Sequence, residues 1–261
     1  MKALALLALM AAPVLADEPR FCPNRPDLGS SACTTDPGHV QVEVSAVDWT
    51  KDDTADARED RVLVGDLLAR FGVGPTTEVQ VGWTPFGHVR ERDMASGMVE
   101  QTDGVGDVRL AVRQNLRGPD GKGLSFGLEP FVTLPVGRYP IGRGDWGAGV
   151  VLPVSYDLGQ ATNVAFTGTA EALPDEDGDG RHLSLTGIVG FGVELSEQLQ
   201  AVAELSVQRD DDPGGHRTLT LAAGSVAWQP AKTLQLDLLV AAGLNDDTPD
   251  LRLSIGGATV F

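Results

Sequence analysis

Alternation of apolar and polar residues over most of the chain is the feature that most constrains its fold. From His39 to the C-terminal Phe261 the sequence contains twelve runs with a period of two, and almost no stretch has helical periodicity. A period of two places successive side chains on opposite faces of a β-strand. The sequence therefore predicts an all-β protein. The predicted strands are 39–47, 61–71, 77–85, 105–115, 124–134, 146–156, 162–171, 182–194, 198–208, 216–228, 233–243 and 250–261.

The connections between these runs are of two kinds. Tighter turns follow most even-numbered strands, and polar connections follow the odd-numbered ones, at 48–60, 86–104, 135–145, 173–181, 210–215 and 245–248. Outer-membrane barrels have short periplasmic turns, longer outward loops and an even number of strands, and about 9 to 11 tilted residues cross the bilayer. A soluble β-sandwich has no physical reason to keep its long connections at one end. We therefore predict a closed antiparallel up-and-down transmembrane β-barrel of 12 strands over residues 39–261, in the outer membrane of a Gram-negative bacterium.

Composition alone suggests a different protein. The chain has 261 residues, a formal net charge of −17 and a mean hydropathy of −0.05, values that a soluble acidic protein would also have. Alternating strands average to neutral hydropathy, so these values are compatible with a barrel. The negative charge repels phosphate backbones, and we expect no nucleic-acid partner.

The first residues have the pattern of an export signal. Lys2 precedes an apolar run from residue 3 to residue 12, and small or aliphatic side chains at Val14 and Ala16 precede Asp17. This arrangement predicts a cleaved secretory signal at residues 1–16. A buried N-terminal helix is the alternative, but the apolar run is followed at once by acidic residues and proline.

Both cysteines lie in the segment that follows, residues 17–38, which we predict to be periplasmic. Cys22 and Cys33 are surrounded by proline, glycine and serine. In an oxidising compartment we expect them to form a disulfide, which would stabilise the fold by about 3 kcal/mol in the chain-entropy model. A metal site is the alternative, and the segment offers no histidine at ligand spacing.

The last predicted strand ends on an aromatic residue. Leu251, Leu253, Ile255 and the terminal Phe261 share one parity of the alternation. This pattern resembles the C-terminal signal by which outer-membrane barrels are recognised for insertion. We therefore expect the barrel-assembly machinery, through this strand, and outer-membrane lipid, through the apolar face, to be partners.

The opposite parity carries eight acids and four arginines, which we predict to line the lumen. A dry protein core would bury many of these charges unpaired, at a high cost in free energy, whereas a wet lumen holds them hydrated or in ion pairs. The alternative is that they only fill a closed lumen. The lumen candidates are Glu43, Asp66, Arg70, Glu78, Arg109, Arg113, Glu129, Glu171, Glu194, Glu204, Asp237 and Arg252.

Two short motifs were weighed for other chemistry. Residues 175–180 match the start of a calcium-binding loop, but position twelve, which should be a bidentate acid, is Thr186. His182 and Ser184 have the spacing seen in outer-membrane phospholipases, but both have lumen parity and no asparagine follows shortly. We therefore expect no catalytic, cofactor-binding or metal site, and no enzyme.

Several short segments together resemble a known family. The segments LLARFG (67–72), EVQVGW (78–83), GVGDVRL (104–110), LPVG (134–137) and VSYDLG (154–159) are similar to those of outer-membrane transporters associated with the meta pathway of phenol degradation. The resemblance implies a barrel that takes up small, often aromatic, solutes, and it transfers no binding residue. The segment with the two cysteines departs from the family pattern and puts free conduction in doubt. A closed structural or surface-interaction barrel is the alternative, and an outer-membrane lipid hydrolase is a third hypothesis.

Overall fold

The computed structural model describes residues 19–159 and 161–261, so the predicted signal peptide at 1–16 lies outside the described residues. No helix in the described part of the chain is long and apolar enough to cross a membrane. The strands are β1 (Val40–Asp53), β2 (Ala57–Gly74), β3 (Thr77–Trp83), β4 (Phe86–Asp93), β5 (Val99–Gly104), β6 (Val108–Arg117), β7 (Leu124–Leu134), β8 (Gly147–Gly159), β9 (Thr162–Pro174), β10 (Arg181–Ser196), β11 (Leu199–Asp212), β12 (Gly215–Ala231), β13 (Leu234–Gly243) and β14 (Leu251–Val260).

All strand pairs are antiparallel, and the sheet closes because β1 pairs with both β2 and β14. Strands β3 and β4 lie along β2 in one register, apart from a shift between Gly72 and Gly74 at the end of β2, and β5 and β6 face them in one register as well. Strands β3 and β4 therefore form one long barrel strand that is interrupted at 84–85. Strands β5 and β6 form another, which is interrupted at 105–107. The wall has 12 strands, and the predicted fold is confirmed.

Two predicted connections are wrong in extent. Strand β1 continues to Asp53 and β2 begins at Ala57, so most of 48–60 is strand; the segment 86–104 forms the hairpin of β4 and β5. The side chains of β5 are exposed along nearly its whole length. These strand ends meet water on both faces, and the alternation that identifies a one-sided strand is therefore absent from them.

The two mid-strand prolines interrupt the ladders without ending a strand. Proline lacks the N–H that a ladder needs, so Pro130 and Pro153 in the middle of predicted strands favour a bulge or a strand end. Residue pairs are missing between β6 and β7 beside Pro130, and between β7 and β8 beside Pro153, but the register is the same on both sides of each gap.

The outer surface carries an apolar belt. Large apolar side chains are exposed on strand after strand, among them Leu110, Leu152, Val189 and Leu238, while the alternate residues point inward and are mostly buried. Soluble monomers rarely expose contiguous apolar patches larger than a few hundred Å². The belt therefore identifies the barrel as one that spans a bilayer.

Both ends of the described chain lie at one end of the barrel. Val40 and Phe261 exchange two backbone hydrogen bonds of 3.1 and 2.9 Å, next to the seam between β1 and β14. In an up-and-down barrel of even strand number this end faces the periplasm. The segment that precedes β1 therefore starts at the periplasmic mouth.

Candidate functional site: the barrel lumen and its N-terminal segment

Six of the predicted lumen residues form one ladder of alternating charge across the wall from β1 to β7. Successive nitrogen–oxygen distances are 3.1, 2.9, 3.5, 2.6 and 2.7 Å, and the first five side chains are at most 2% exposed. Three acids balance three arginines, as buried charges require. In order, the ladder runs Glu43, Arg70, Glu78, Arg113, Glu129 and Arg109.

The ladder also holds the N-terminal disulfide loop. The predicted bond between Cys22 and Cys33 is present. Arg70 donates hydrogen bonds of 2.8 Å to the backbone carbonyls of both cysteines. The backbone N–H of Thr35 donates to Glu78 at 2.7 Å. Arg70 and Glu78 of the ladder thus form hydrogen bonds with the segment before β1 as well as with each other.

Three further predicted residues lie in the middle and outer parts of the lumen. Arg252 pairs with Asp48 at 2.8 Å, and Glu171 pairs with Arg143 at 2.5 Å. Asp66 accepts a hydrogen bond from the hydroxyl of Thr84 at 2.6 Å. These groups are paired side chain to side chain and do not contact the N-terminal segment.

Residues 19–38 cross the periplasmic half of the lumen. The backbone N–H of Asn24 donates to Glu43 on β1 at 2.9 Å, and that of Ser30 donates to Thr167 on β9 at 2.9 Å. Around the wall of twelve strands, β9 is the sixth strand from β1. The segment therefore contacts opposite walls.

Arg25 is the main side-chain anchor of this segment. Its guanidinium donates to Asp237 at 2.9 Å and to Ser254 at 3.1 Å, and it also contacts Ser45. The Asp237 side chain is 0% exposed. Because charge-assisted hydrogen bonds are about twice as strong as neutral ones, we expect this contact to contribute much of the docking energy.

A second, acidic contact lies beside Arg25. Glu204 on β11 accepts hydrogen bonds from the backbone N–H groups of Leu28 and Gly29, at 2.6 and 2.9 Å. Asp27 accepts one from Ser225 at 2.8 Å. Burial, followed by the nearby charge of Glu204, raises the pKa of Asp27 to about 7. A charged Asp27 therefore opposes docking, and a protonated one permits it.

The connection between β7 and β8 folds into the outer mouth. Ile141 is buried over Gly87 of β4, where an added Cβ would come within 2.6 Å of it. Arg61 donates to the carbonyl of Ile141 at 2.9 Å, and Asp107 accepts two backbone N–H groups of the connection at 2.9 and 2.7 Å. The predicted polar connection 135–145 thus narrows the lumen from the outside.

Three cavities that are lined by the described residues lie in series along the lumen. Their volumes are about 620 Å³ in the outer part, 310 Å³ in the middle and 510 Å³ in the inner part. The outer and middle cavities share Thr84, Asp107 and Arg109, and the middle and inner cavities share Asn24 and Ser30. Of the predicted lumen residues, those that line the cavities are Asp66, Arg109, Glu129, Glu171, Glu194 and Glu204.

Sequence reasoning missed two residues that shape this lumen. Ile141 is an isolated large aliphatic residue in an otherwise polar connection, which is a usable signal for inward packing. The signal for Arg25 is indirect. The predicted lumen residues include twice as many acids as arginines, and this excess of negative charge favours a cation from another part of the chain, such as the segment that holds Arg25.

Solved structures show the same fold. An outer membrane channel from Pseudomonas putida F1 matches with a TM-score of 0.71 and 15% identity, over 90% of this chain and 99% of that chain. The NanC porin matches with a TM-score of 0.53 and 10% identity, over 84% and 98%. The translocator domain of the autotransporter NalP from Neisseria meningitidis matches with a TM-score of 0.52 and 11% identity, over 86% of this chain and 88% of that chain. The closed barrel, its apolar belt and these neighbours place the protein in the outer membrane, as predicted.

The sequence comparisons identify the family. No curated protein sequence is significantly similar to the chain. A family model described as "Putative MetA-pathway of phenol degradation" matches residues 23–259, which include most of the N-terminal segment and nearly the whole barrel. The predicted departure of the cysteine segment from the family pattern is wrong for residues 23–38, which the family model includes. The chain therefore belongs to this family, as its short segments predicted.

Proposed function

We propose that the protein is a passive outer-membrane channel for small solutes. The observation that carries this proposal is the series of three cavities, in which each cavity shares lining residues with the next. A barrel that served only as a scaffold would have no need for a series of polar cavities along its axis. The inward-facing residues that line the cavities are the proposed solute path.

The cavities favour small molecules with an aromatic ring. Their volumes fall in the range of about 300 to 1,000 Å³ typical of small-molecule sites. The outer cavity is lined by Phe131 and Tyr139 as well as by charged groups, and the Arg109 guanidinium lies 4.1 Å from the centre of the Phe131 ring. The family description, which refers to phenol degradation, agrees with this solute class.

The N-terminal segment is the proposed internal constriction of the channel. It crosses the lumen between the middle and inner cavities, whose shared residues, Asn24 and Ser30, belong to it. Solute flow therefore requires the segment to shift. We expect low conductance in the resting state and brief, larger openings.

Liposome swelling and planar-bilayer recording test the proposal. Proteoliposomes with the full chain should swell with phenol or benzoate as solute, and bilayers should show small, fluctuating conductance. A matched control is the same protein with Arg209→Ala, because Arg209 pairs with Asp211 at the exposed outer rim. Failure of every small solute to permeate, from protein shown to be folded in the membrane, would reject the channel.

A closed structural or surface-interaction barrel is the second candidate. It is favoured by the hydrogen bonds that the N-terminal segment makes to opposite walls. The same recordings decide between the two, since a closed barrel gives no conductance with or without the segment docked.

A hydrolase is disfavoured by the surroundings of the candidate nucleophile. Ser184 is 4% exposed, and its hydroxyl accepts a hydrogen bond from Gln208 at 3.0 Å. The ion-pair contacts of His182 are with aspartates. A hydrolytic serine needs an oriented base within hydrogen-bond reach. Lipid hydrolysis that is lost in Ser184→Ala would establish an enzyme.

A further inference from the structure

A group of three aspartates surrounds one histidine at the extracellular end of the barrel. Asp175 begins the connection between β9 and β10, and His182 is the second residue of β10. Asp210 and Asp212 are among the last three residues of β11. Three successive strand ends therefore contribute to one cluster, in a part of the chain where the sequence predicted no metal site.

The distances within the cluster suit one metal ion. His182 Nδ1 lies 2.9 Å from an oxygen of Asp175 and 3.2 Å from an oxygen of Asp212, and the three ligand atoms lie within 4.8 Å of one another. Ligands about 2.0–2.2 Å from a shared ion, at angles between octahedral and tetrahedral, are separated by about 2.8–3.6 Å. Both nitrogen–oxygen distances lie in this range.

The imidazole is buried, and one of its nitrogens lacks a hydrogen bond. The His182 side chain is 6% exposed, and the side chains of Asp175 and Asp212 are 9% and 3% exposed. His182 Nε2 and Asp210 Oδ1 lie 2.8 Å apart, yet in the described part of the chain neither atom has a hydrogen-bond partner. A buried polar atom without a partner is costly, so this close but misaligned contact indicates that the cluster lacks a component.

The charge of the cluster indicates a cation. With a neutral imidazole the four side chains carry three negative charges in a largely buried space. Arg217 lies nearby but is paired with Glu176. One carboxylate oxygen of Asp212 accepts the backbone N–H of Glu176 at 2.9 Å, and the other accepts that of Gly214 at 2.6 Å. These bonds orient the carboxylate and stabilise its charge.

We propose that His182 Nδ1, Asp175 and Asp212 bind a divalent transition-metal ion, and that the bound ion turns the imidazole so that its Nε2–H donates to Asp210, a hydrogen bond that the 2.8 Å contact does not make. A nitrogen ligand among carboxylates favours ions such as Zn²⁺ or Mn²⁺ over Ca²⁺ and Mg²⁺, which prefer oxygen ligands alone. A carboxylate on the second ring nitrogen is the usual companion of a ligating histidine. The bound ion would join the ends of β9, β10 and β11 and fix this side of the outer rim.

Zinc titration of the full chain in detergent tests the site. After treatment with a chelator, calorimetry at neutral pH should show one Zn²⁺ bound per chain, with Ca²⁺ binding far more weakly. Asp210→Asn should weaken binding by about 10- to 100-fold, as expected for the partner of a ligating histidine. His182→Ala should weaken it further. His216→Ala removes a histidine at the same rim that is 62% exposed, and it should leave binding unchanged.

The alternative is that His182 is a doubly protonated imidazolium held by the three carboxylates. X-ray absorption of the zinc-loaded protein should show one imidazole nitrogen and carboxylate oxygens, and a spectrum without imidazole overturns the proposal. Binding weaker than about 1 mM, or equal binding in wild type and His182→Ala, overturns it as well. If His182→Ala fails to fold in a heat-modifiability gel, Asp212→Asn takes its place, because it keeps the side-chain shape and removes one charged ligand.

Discussion

Replacement of Arg25 by alanine should release the N-terminal segment from the lumen. The guanidinium is 16% exposed and is hydrogen-bonded to Asp237, whose side chain is 0% exposed, and to Ser254. Removing it leaves a buried carboxylate without its partner. Breaking a buried ion pair in this way costs about 3–5 kcal/mol. Each 1.4 kcal/mol is a factor of ten, so the ratio of docked to undocked segment should fall by about 100- to 3,000-fold.

Single-channel recording measures this shift directly. Arg25→Ala should increase the open fraction and the mean conductance. The double variant Arg25→Ala with Asp237→Asn should reverse most of the increase, because the uncompensated charge is removed with its partner. Arg209→Ala breaks an exposed ion pair at the rim, with side chains 46% and 42% exposed, and it should have little effect.

Two results would refute the reasoning on Arg25. The first is an Arg25→Ala channel that is folded and has the conductance of wild type. The second is an Asp237→Asn substitution that does not compensate for the loss of Arg25. The first result would show that the backbone hydrogen bonds of the segment suffice to hold it. The second would show that the uncompensated charge of Asp237 is not what releases it.

Four further perturbations test other parts of the lumen and wall. The raised pKa of Asp27 means that docking in the native protein weakens as the pH rises through about 7. Asp27→Asn should therefore hold the segment more firmly than wild type at pH 8 and should have little effect at pH 5. Equal open fractions of wild type at both pH values would contradict this. Reduction of Cys22–Cys33 should remove up to about 3 kcal/mol of restraint and increase current noise, which reoxidation reverses. Ile141→Ala should weaken packing of the outer connection by about 2–5 kcal/mol and raise conductance, whereas an unchanged conductance would remove this connection from the constriction. In the wall itself, Val189→Arg should cost about 2–4 kcal/mol near the bilayer midplane, measured by urea unfolding in lipid.

Alternation was sufficient to predict the membrane-embedded part of the wall. It predicted the barrel strands because each one has a lipid face and a wet face. It failed for Ala57–Asp60, for the last residues of β4 and for β5, where the strands extend beyond the apolar belt and polar side chains occupy both faces. In β4 it also missed Val89, which is 4% exposed. No period can identify strands whose two faces have the same environment.

The candidate site was predictable in part. Parity predicts that the ladder residues face inward, and in the structure five of the six side chains are at most 2% exposed. The pairing order of the ladder depends on register between neighbouring strands, which the sequence pattern does not specify. The contact between Arg25 and Asp237 joins residues that are 212 positions apart. The sequence around either residue does not indicate which residue is its partner.

The position of the N-terminal segment also has a consequence for assembly. Its partners Glu204 and Asp237 belong to β11 and β13, which leave the ribosome long after residues 19–38. The first part of the exported chain can therefore settle only when the last strands are in place and β14 has met β1. Docking of the segment thus reports that the barrel is complete, and a truncated or misregistered wall would leave it unbound and accessible to periplasmic proteases.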